Sequence, residues 1–207
     1  EAHRDALLSS PHNLTALPAD GITRDLLVDA LAGVPVLGDL EGPIIDVGTG
    51  GGIPGLPLAI ALPEKRFVLL DANAKKIGFV DSVIEATGVT NVETRCMRVE
   101  EAGRAADLRE QFGVALAKAV APVRVLVEWL VPLIHLEGRV VLWKGPAADQ
   151  EIAEAAGALS ALEASVERVV PYDLQGRERR VLVVIRRGGP VDARYPRRVG
   201  VATKKPL

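Results

Sequence analysis

The 207-residue sequence predicts an α/β fold with a doubly wound, mostly parallel sheet. Apolar runs alternate with helix-like segments along most of the chain, as expected for parallel strands covered on both faces. A glycine-rich stretch at residues 46–55 follows the apolar run Pro43-Ile44-Ile45 and precedes a helical segment. This order is typical of the cofactor turn in Rossmann-like folds. The last two predicted strands have no long helix between them, which indicates an antiparallel final strand.

Each element follows from its local pattern. Seven strands are predicted at residues 44–48, 67–71, 92–97, 114–117, 139–143, 165–170 and 180–186. Helices are predicted at 56–62, 74–87, 101–111, 123–134 and 149–162, and Gly88 stops the second of these as a C′ residue. The last two strands flank a turn-like stretch, Asp173-Leu174-Gln175-Gly176.

Two regions are predicted along the chain. Residues 1–42 form a short N-terminal helical prelude with an amphipathic helix at 22–31, and we expect residues to be missing upstream because the chain begins at Glu1. Residues 43–207 form the α/β domain, which ends in a basic C-terminal tail at 188–207.

Composition narrows the class of protein. Apolar residues make up 48% of the chain and charged residues 25%, and no apolar run is long enough to span a membrane, so no membrane partner is expected. The single cysteine, Cys96, excludes an internal disulfide and favours a cytoplasmic location. No hydrophobic stripe points to a dimer, so a monomer is predicted.

The net charge of the chain is −2, but its charged residues are distributed unevenly along the sequence. Residues 177–207 contain ten basic and two acidic residues, a net charge of +8. Such a segment on an acidic chain indicates contact with a phosphate backbone. A solvated tail is the alternative on charge alone.

The glycine turn discriminates between cofactors. A dinucleotide turn needs G-x-G-x-x-G, but after Gly48 and Gly50 the third glycine would fall at Ile53. Asp46, two residues before Gly48, would repel a pyrophosphate but could pair with the ammonium group of S-adenosylmethionine. Asp71 ends the second strand and can accept ribose hydroxyls, which NAD sites share. The turn therefore favours S-adenosylmethionine, and an NAD-dependent oxidoreductase is the weaker alternative.

The acceptor chemistry is constrained by what the motifs lack. Cys96 follows Arg95 inside a predicted strand and is interpreted as a core residue, not as the nucleophile that pyrimidine C5 methylation needs. Residues 117–122 do not carry the Asp/Asn-Pro-Pro-aromatic motif of exocyclic-amine methylation, and no metal site is predicted. Guanine N7 carries an in-plane lone pair and needs no base, so alignment alone can suffice. Lys118, at the end of the fourth strand, is the candidate catalytic cation that holds the substrate or the cofactor carboxylate.

Several motifs resemble the glucose-inhibited division protein B family (GidB, also called RsmG), the 16S rRNA guanine-N7 methyltransferases. They are the turn at 46–55, Leu69-Leu70-Asp71, Lys76, Ala119-Val120-Ala121-Pro122, Lys144-Gly145-Pro146, Tyr195-Pro196-Arg197-Arg198, Lys204-Lys205-Pro206-Leu207 and, in the prelude, Asn13-Leu14-Thr15-Ala16. The match covers nearly the whole chain. It implies the class I methyltransferase variant of the Rossmann fold.

The resemblance also implies a site. Cofactor contacts would fall by resemblance on Gly48, Ile53, Asp71, Ala72, Asn73, Val99 and Glu100, and the residue pattern itself adds Asp46, Gly50, Gly52 and Lys118. RNA contacts would fall on Lys144, Arg197, Arg198, Lys204 and Lys205. The acceptor would be a guanine in the decoding-region loop of 16S rRNA, free or within the 30S subunit, and loss of its methyl group is linked in the family to streptomycin resistance.

Two departures from the family pattern leave an alternative. The family arginine before Ala-Val-Ala-Pro is Lys118 here, which keeps the charge but loses the planar fork. The family motif His-Leu-Leu-Asp-Ser-Leu is replaced by Leu26-Leu27-Val28-Asp29-Ala30-Leu31, so the histidine is absent. A catalytically weak or inactive RNA-binding relative is therefore the second hypothesis.

Overall fold

The computed structural model describes residues 2–9, 22–174 and 179–207. The motif at 13–16, Gln175 and Gly176 of the predicted turn, and Arg177 lie outside these residues. The strands are β1 (Ile44–Val47), β2 (Phe67–Asp71), β3 (Val92–Cys96), β4 (Phe112–Lys118), β5 (Ile134–Lys144), β6 (Ala164–Tyr172) and β7 (Arg180–Arg187). All seven predicted strands are present, with β4, β5 and β6 longer than expected.

The strands form one sheet in the order β3-β2-β1-β4-β5-β7-β6. Neighbours among the first five strands are parallel, and β7 is antiparallel to both β5 and β6. The final strand is therefore antiparallel, as the sequence predicts. The strands β2 and β3 are added on one side of β1, and β4 and the later strands on its other side. The strand order therefore switches between β1 and β4, and α/β folds open a ligand crevice at such a point.

Helices cover both faces of the sheet. They are α1 (Ala2–Ser9), a π-helix (Ile22–Val28), α2 (Asp29–Leu31), α3 (Val34–Gly38), α4 (Gly55–Ala61), α5 (Ala74–Thr87), α6 (Val99–Ala102), α7 (Val123–Leu130), a 3₁₀-helix (Val131–Leu133), α8 (Ala148–Glu154), α9 (Ala156–Ala161) and α10 (Val201–Lys204). One apolar cluster packs β-strand residues such as Val140 against α7 and α9. The other packs residues such as Leu69 against α4 and α5. No helix in these described ranges is both long and apolar enough to cross a membrane.

Four local predictions are wrong. The helix predicted at 101–111 ends at Ala102 and continues as turns, because Arg104 and Arg109 donate to carbonyls of the C-terminal segment. The helix at 123–134 ends at Leu130, where Pro132 cannot donate to a carbonyl of the preceding turn. The helix at 149–162 is divided at Ala155. Cys96 is exposed and is not a core residue, because β3 is an edge strand.

Candidate functional site

The glycine turn connects β1 to α4. Gly48, Gly50 and Gly52 have φ angles of +71°, +58° and +84°, which residues other than glycine rarely adopt. A Cβ atom on Gly48 would lie 2.9 Å from Cγ2 of Val120, so the backbone there passes close to the β4–α7 loop. The N–H groups of Gly48 and Thr49 donate to the carbonyl of Leu70, at 2.8 and 3.1 Å, and tie the turn to β2.

Asp46 lies beneath this turn and is fully buried. Its Oδ2 accepts hydrogen bonds from Thr49 Oγ1 at 2.7 Å and from the Gly55 N–H at 2.9 Å. Burial raises the pKa of Asp46 to about 6, against the opposing effect of the Thr49 and Gly55 hydrogen bonds. Asp46 holds the turn from inside and does not line the cavity above it, so its direct contact with a cofactor stays a prediction.

A cavity of about 580 Å³ opens at the carboxyl ends of β1, β2 and β4. Six of the predicted cofactor residues line it: Gly48, Asp71, Ala72, Val99, Glu100 and Lys118. Gly50 and Ile53 line a smaller adjoining cavity of about 200 Å³, which Leu7 of α1 also lines. Gly52 is buried within the turn, and Asn73 caps α5 by accepting the Lys75 N–H at 3.0 Å.

The Asp71 carboxylate is held in one orientation at the cavity wall. Its Oδ2 accepts the Gly50 N–H at 3.0 Å, and its Oδ1 accepts the Asn73 N–H at 2.9 Å. Lys76 Nζ lies 3.9 Å from Oδ2. Each carboxylate oxygen can accept a second hydrogen bond, so Asp71 can also accept hydroxyl groups of a ligand.

The C-terminal segment forms another wall of the same cavity. Val199, Gly200 and Thr203 line it, and the Gly200 N–H donates to Glu100 Oε1 at 2.9 Å. Glu100 therefore anchors the segment at one of the positions where the resemblance implies a cofactor contact. Val199, Gly200 and Thr203 were not among the predicted site residues, because no spacing or motif shows that the chain end returns to the sheet.

Arg197 fastens this segment to α7. Its guanidinium makes a two-pronged ion pair with Glu128, with Nη2 2.6 Å from Oε2, and its backbone N–H donates to Oε1 at 2.8 Å. The Glu128 carboxylate, 1% exposed, raises the pKa of Arg197. Arg197 therefore stabilises the fold, and its predicted RNA contact would compete with the ion pair to the buried Glu128. Arg198, Lys204 and Lys205 are exposed, and their RNA contacts stay predictions.

Lys118 ends β4 and is almost buried. Its Nζ lies 2.8 Å from Asp29 Oδ2 and donates to the Asp25 carbonyl at 3.2 Å. Asp29 Oδ1 accepts the Tyr172 hydroxyl at 2.5 Å, and Trp143 Nε1 donates to the Asp29 carbonyl at 2.9 Å. Asp29 of the prelude is therefore joined to β4, β5 and β6, and the charge of Lys118 is compensated.

A second cavity, of about 390 Å³, shares the wall Lys118-Ala119-Val120 with the first. Ala119 has a φ of +56°, a left-handed conformation that is uncommon outside glycine. Lys144 lines this second cavity, and its Nζ lies 2.7 Å from Glu151 Oε2 and 2.8 Å from the Ala121 carbonyl. Lys144 is therefore held by protein groups, and its predicted contact with RNA competes with them.

The residues of the first cavity fit S-adenosylmethionine. Its volume lies in the range of small-molecule sites. The oriented Asp71 carboxylate suits ribose hydroxyls, and Gly48, which lines the cavity, presents backbone without a side chain to a ligand. Ile53 occupies the position at which a dinucleotide-binding turn has its third glycine, so the turn does not match that class of cofactor.

Comparisons with known proteins agree with this geometry. The family model for rRNA small subunit methyltransferase G matches residues 7–181. A ribosomal RNA small subunit methyltransferase G from Thermotoga sp. (strain RQ2) is 39% identical over 204 residues, which cover 98% of this chain and 88% of that protein. The protein of the same name from Syntrophomonas wolfei is 36% identical and covers 96% and 93%.

Solved structures show the fold at lower identity. A ribosomal protein L11 methylase from Lactobacillus delbrueckii superposes with a TM-score of 0.58 at 17% identity, covering 80% of this chain and 79% of that one. A geranyl diphosphate C-methyltransferase from Streptomyces coelicolor, solved with S-adenosyl-L-homocysteine, gives 0.54 at 13% identity, covering 75% and 78%. The fold is that of class I methyltransferases. By its match to the family model and its identity to these relatives over nearly its whole length, the chain belongs to the rRNA small subunit methyltransferase G family.

Proposed function

We propose that the protein transfers a methyl group from S-adenosylmethionine to N7 of a guanine in the decoding-region loop of 16S rRNA. One observation carries the proposal: two cavities share the wall Lys118-Ala119-Val120, one suited to the cofactor and the other large enough for a nucleotide. Family membership supports the rRNA substrate. It also counts against the NAD-dependent oxidoreductase that the glycine turn alone left open.

The chain's own residues need only bind and align the reactants. The bound cofactor supplies a methyl group on a positively charged sulfur. Asp71 holds the ribose, and the glycine turn, kept in shape by Asp46, lets the cofactor lie close to the strand ends. Guanine N7 would attack the methyl carbon with its in-plane lone pair while the carbon–sulfur bond breaks and S-adenosylhomocysteine leaves, so no residue has to remove a proton beforehand.

Lys118 is proposed as the residue that positions the acceptor. It lines both cavities, and its ion pair with Asp29 fixes where its ammonium group lies. Guanine O6 is a hydrogen-bond acceptor adjacent to N7, so an ammonium group at the shared wall can bind it.

The partner we propose is 16S rRNA, free or in the 30S subunit, with the protein acting as a monomer in the cytoplasm. Arg198, Lys204 and Lys205 are exposed beside Val199, Gly200 and Thr203, which line the cofactor cavity. Their charges would therefore meet the RNA near the methyl donor.

The test is transfer of labelled methyl from S-adenosylmethionine to 16S rRNA and to 30S subunits, with the product nucleoside identified. We expect 7-methylguanine with the wild type and a loss of at least tenfold in cofactor affinity with Asp71→Ala. Salt-sensitive rRNA binding without methyl transfer, with transfer restored by Lys118→Arg, would favour the inactive relative. Absence of 7-methylguanine with every form of the RNA would refute the proposal.

A further inference from the structure

The basic segment at residues 177–207 carries fewer uncompensated positive charges than its sequence indicates. Five of its nine described basic residues are ion-paired: Arg179 with Asp149, Arg186 with Glu137, Arg187 with Glu110, Arg194 with Asp192 and Arg197 with Glu128. Within the described ranges, four have no carboxylate partner: Arg180, Arg198, Lys204 and Lys205. Three of these four are exposed, and Arg180 alone is half-buried and lines a cavity.

That cavity is the second one, next to the cofactor cavity. Its other two cations are compensated, since Lys118 pairs with Asp29 at 2.8 Å and Lys144 pairs with Glu151 at 2.7 Å. The described lining therefore carries one uncompensated charge, on Arg180. Its Nη1 lies 3.7 Å from the point where a Cβ on Gly145 would sit, which places the guanidinium beside the β5–α8 loop.

The lining of this second cavity suits a nucleotide. Val120 and Pro122 offer apolar surface on the wall shared with the cofactor cavity or beside it, and Val120 is 37% exposed. A base contacts apolar side chains well, whereas its phosphate needs a cation. A partly desolvated guanidinium presents paired N–H donors that match two phosphate oxygens, and burial strengthens the attraction.

We propose that Arg180 binds a backbone phosphate of the RNA strand whose guanine occupies the second cavity, and so positions that guanine for methyl transfer. This inference rests on the function proposed above. It separates Arg180 from the rest of the basic segment: the exposed cations attract RNA of any sequence, whereas Arg180 binds the acceptor strand at the site.

The experiment compares Arg180→Gln with Arg179→Gln. Both remove one positive charge at adjacent positions of the chain, but Arg179 is exposed and paired with Asp149. We measure KM and kcat with 30S subunits or 16S rRNA, the dissociation constant for rRNA at several salt concentrations, the dissociation constant for S-adenosylmethionine and the melting temperature.

For Arg180→Gln we expect a rise of about 10- to 100-fold in KM for the RNA, the loss that follows removal of a hydrogen-bonded charge. The slope of log K against log salt should become shallower by about 0.7, the contribution of one phosphate contact on a single strand. Affinity for S-adenosylmethionine and the melting temperature should stay unchanged. Arg180→Lys should recover part of the affinity, and Arg179→Gln should behave as the wild type.

Two results would overturn the inference. One is an equal effect of the two glutamine variants on RNA binding. The other is a loss of cofactor affinity or melting temperature in Arg180→Gln that accounts for its lower activity, which would make Arg180 a structural residue. A wild type that binds rRNA through Arg180 but transfers no methyl group would instead refute the proposed function, so the two failures are distinguishable.

Discussion

At the scale of single residues, the glycine turn depends on a buried carboxyl group, that of Asp46. Asp46 accepts hydrogen bonds from Thr49 and Gly55 through one oxygen, and its Oδ1 is buried with no hydrogen-bond partner in the described structure. An ionised Asp46 is therefore incompletely compensated, which agrees with its raised pKa.

This raised pKa predicts a pH dependence of stability. Desolvation raises the pKa of Asp46 from 3.8 to about 6, so between these values the native state binds more protons than the unfolded state. The contribution of Asp46 to the free energy of unfolding then falls as pH rises through this window, by up to about 3 kcal/mol. Asp46→Asn does not titrate, so its stability relative to the wild type should increase from pH 4 to pH 6 in urea unfolding. A constant difference across that range would contradict the prediction.

Two glycines in helices should respond oppositely to alanine. A Cβ on Gly55 would lie 2.1 Å from Leu69 Cδ2 and 2.8 Å from Asp46 Oδ2, so Gly55→Ala should lower the free energy of unfolding by about 1–3 kcal/mol. A Cβ on Gly78 in α5 would meet no atom within 4 Å, so Gly78→Ala should raise it by about 0.5–1 kcal/mol. Urea unfolding measures both, and effects of the same sign would be inconsistent with this packing.

At the scale of elements, α1 is attached to the cofactor turn through a histidine. His3 is buried, and its Nε2 lies 2.7 Å from the Gly51 carbonyl oxygen, while Nδ1 has no hydrogen-bond partner in the described structure. Desolvation lowers the pKa of His3 below 6.5, although the Gly51 hydrogen bond opposes this. The neutral ring therefore favours docking of α1 on the glycine turn. The contribution of His3 to stability is complete above pH 6.5 and is lost as pH falls through the lowered pKa.

We expect the wild type to lose cofactor affinity between pH 7.5 and pH 5.5, because protonated His3 buries an unsatisfied N–H and costs about 1–3 kcal/mol of docking energy. His3→Gln can keep the donor to Gly51 without titrating, so its loss should be several-fold smaller in titration calorimetry. His135→Gln, at an exposed position of β5, is the control and should follow the wild type. Equal pH profiles for wild type and His3→Gln would exclude this role.

The C-terminal segment depends on one ion pair. Arg197→Ala would leave Glu128 buried and unpaired on α7, so we expect a loss of about 3–5 kcal/mol in the free energy of unfolding. Arg198→Ala, the neighbouring exposed residue, should change stability by no more than about 0.5 kcal/mol. Chemical denaturation of both variants measures the contrast, and a neutral Arg197→Ala would show that this pair does not anchor the segment.

At the scale of the whole molecule, ion pairs set how many charges can act on RNA. Arg198, Lys204 and Lys205 lack carboxylate partners among the described residues, and each phosphate contact adds about 0.7 to the salt slope on single strands. The variant with all three changed to glutamine should therefore show a slope of log K against log salt shallower by about 2. The paired Arg186 provides the control, since Arg186→Gln should leave the slope near the wild-type value. Equal slopes in these two variants would refute the assignment.

The sequence alone determined the sheet and the glycine turn that follows its first strand. All seven strands were predictable because buried strands need apolar runs, and the turn was predictable because positive φ angles require glycine. Asp71 followed from its place at the end of β2, since parallel strands end at one edge. These features depend on neighbours along the chain, and local patterns therefore carry them.

Packing in three dimensions sets which charges lack a partner among the described residues and what encloses the cavity at the strand ends. The pairs Lys118–Asp29, Lys144–Glu151 and Arg197–Glu128 join residues that are between 7 and 89 positions apart, and the segment around Gly200 returns to Glu100 across 100 residues. A formal charge count cannot show such pairing, because compensation depends on distance in space and on burial. For the same reason, Arg180 separates from the other arginines only when the cavity beside it is known.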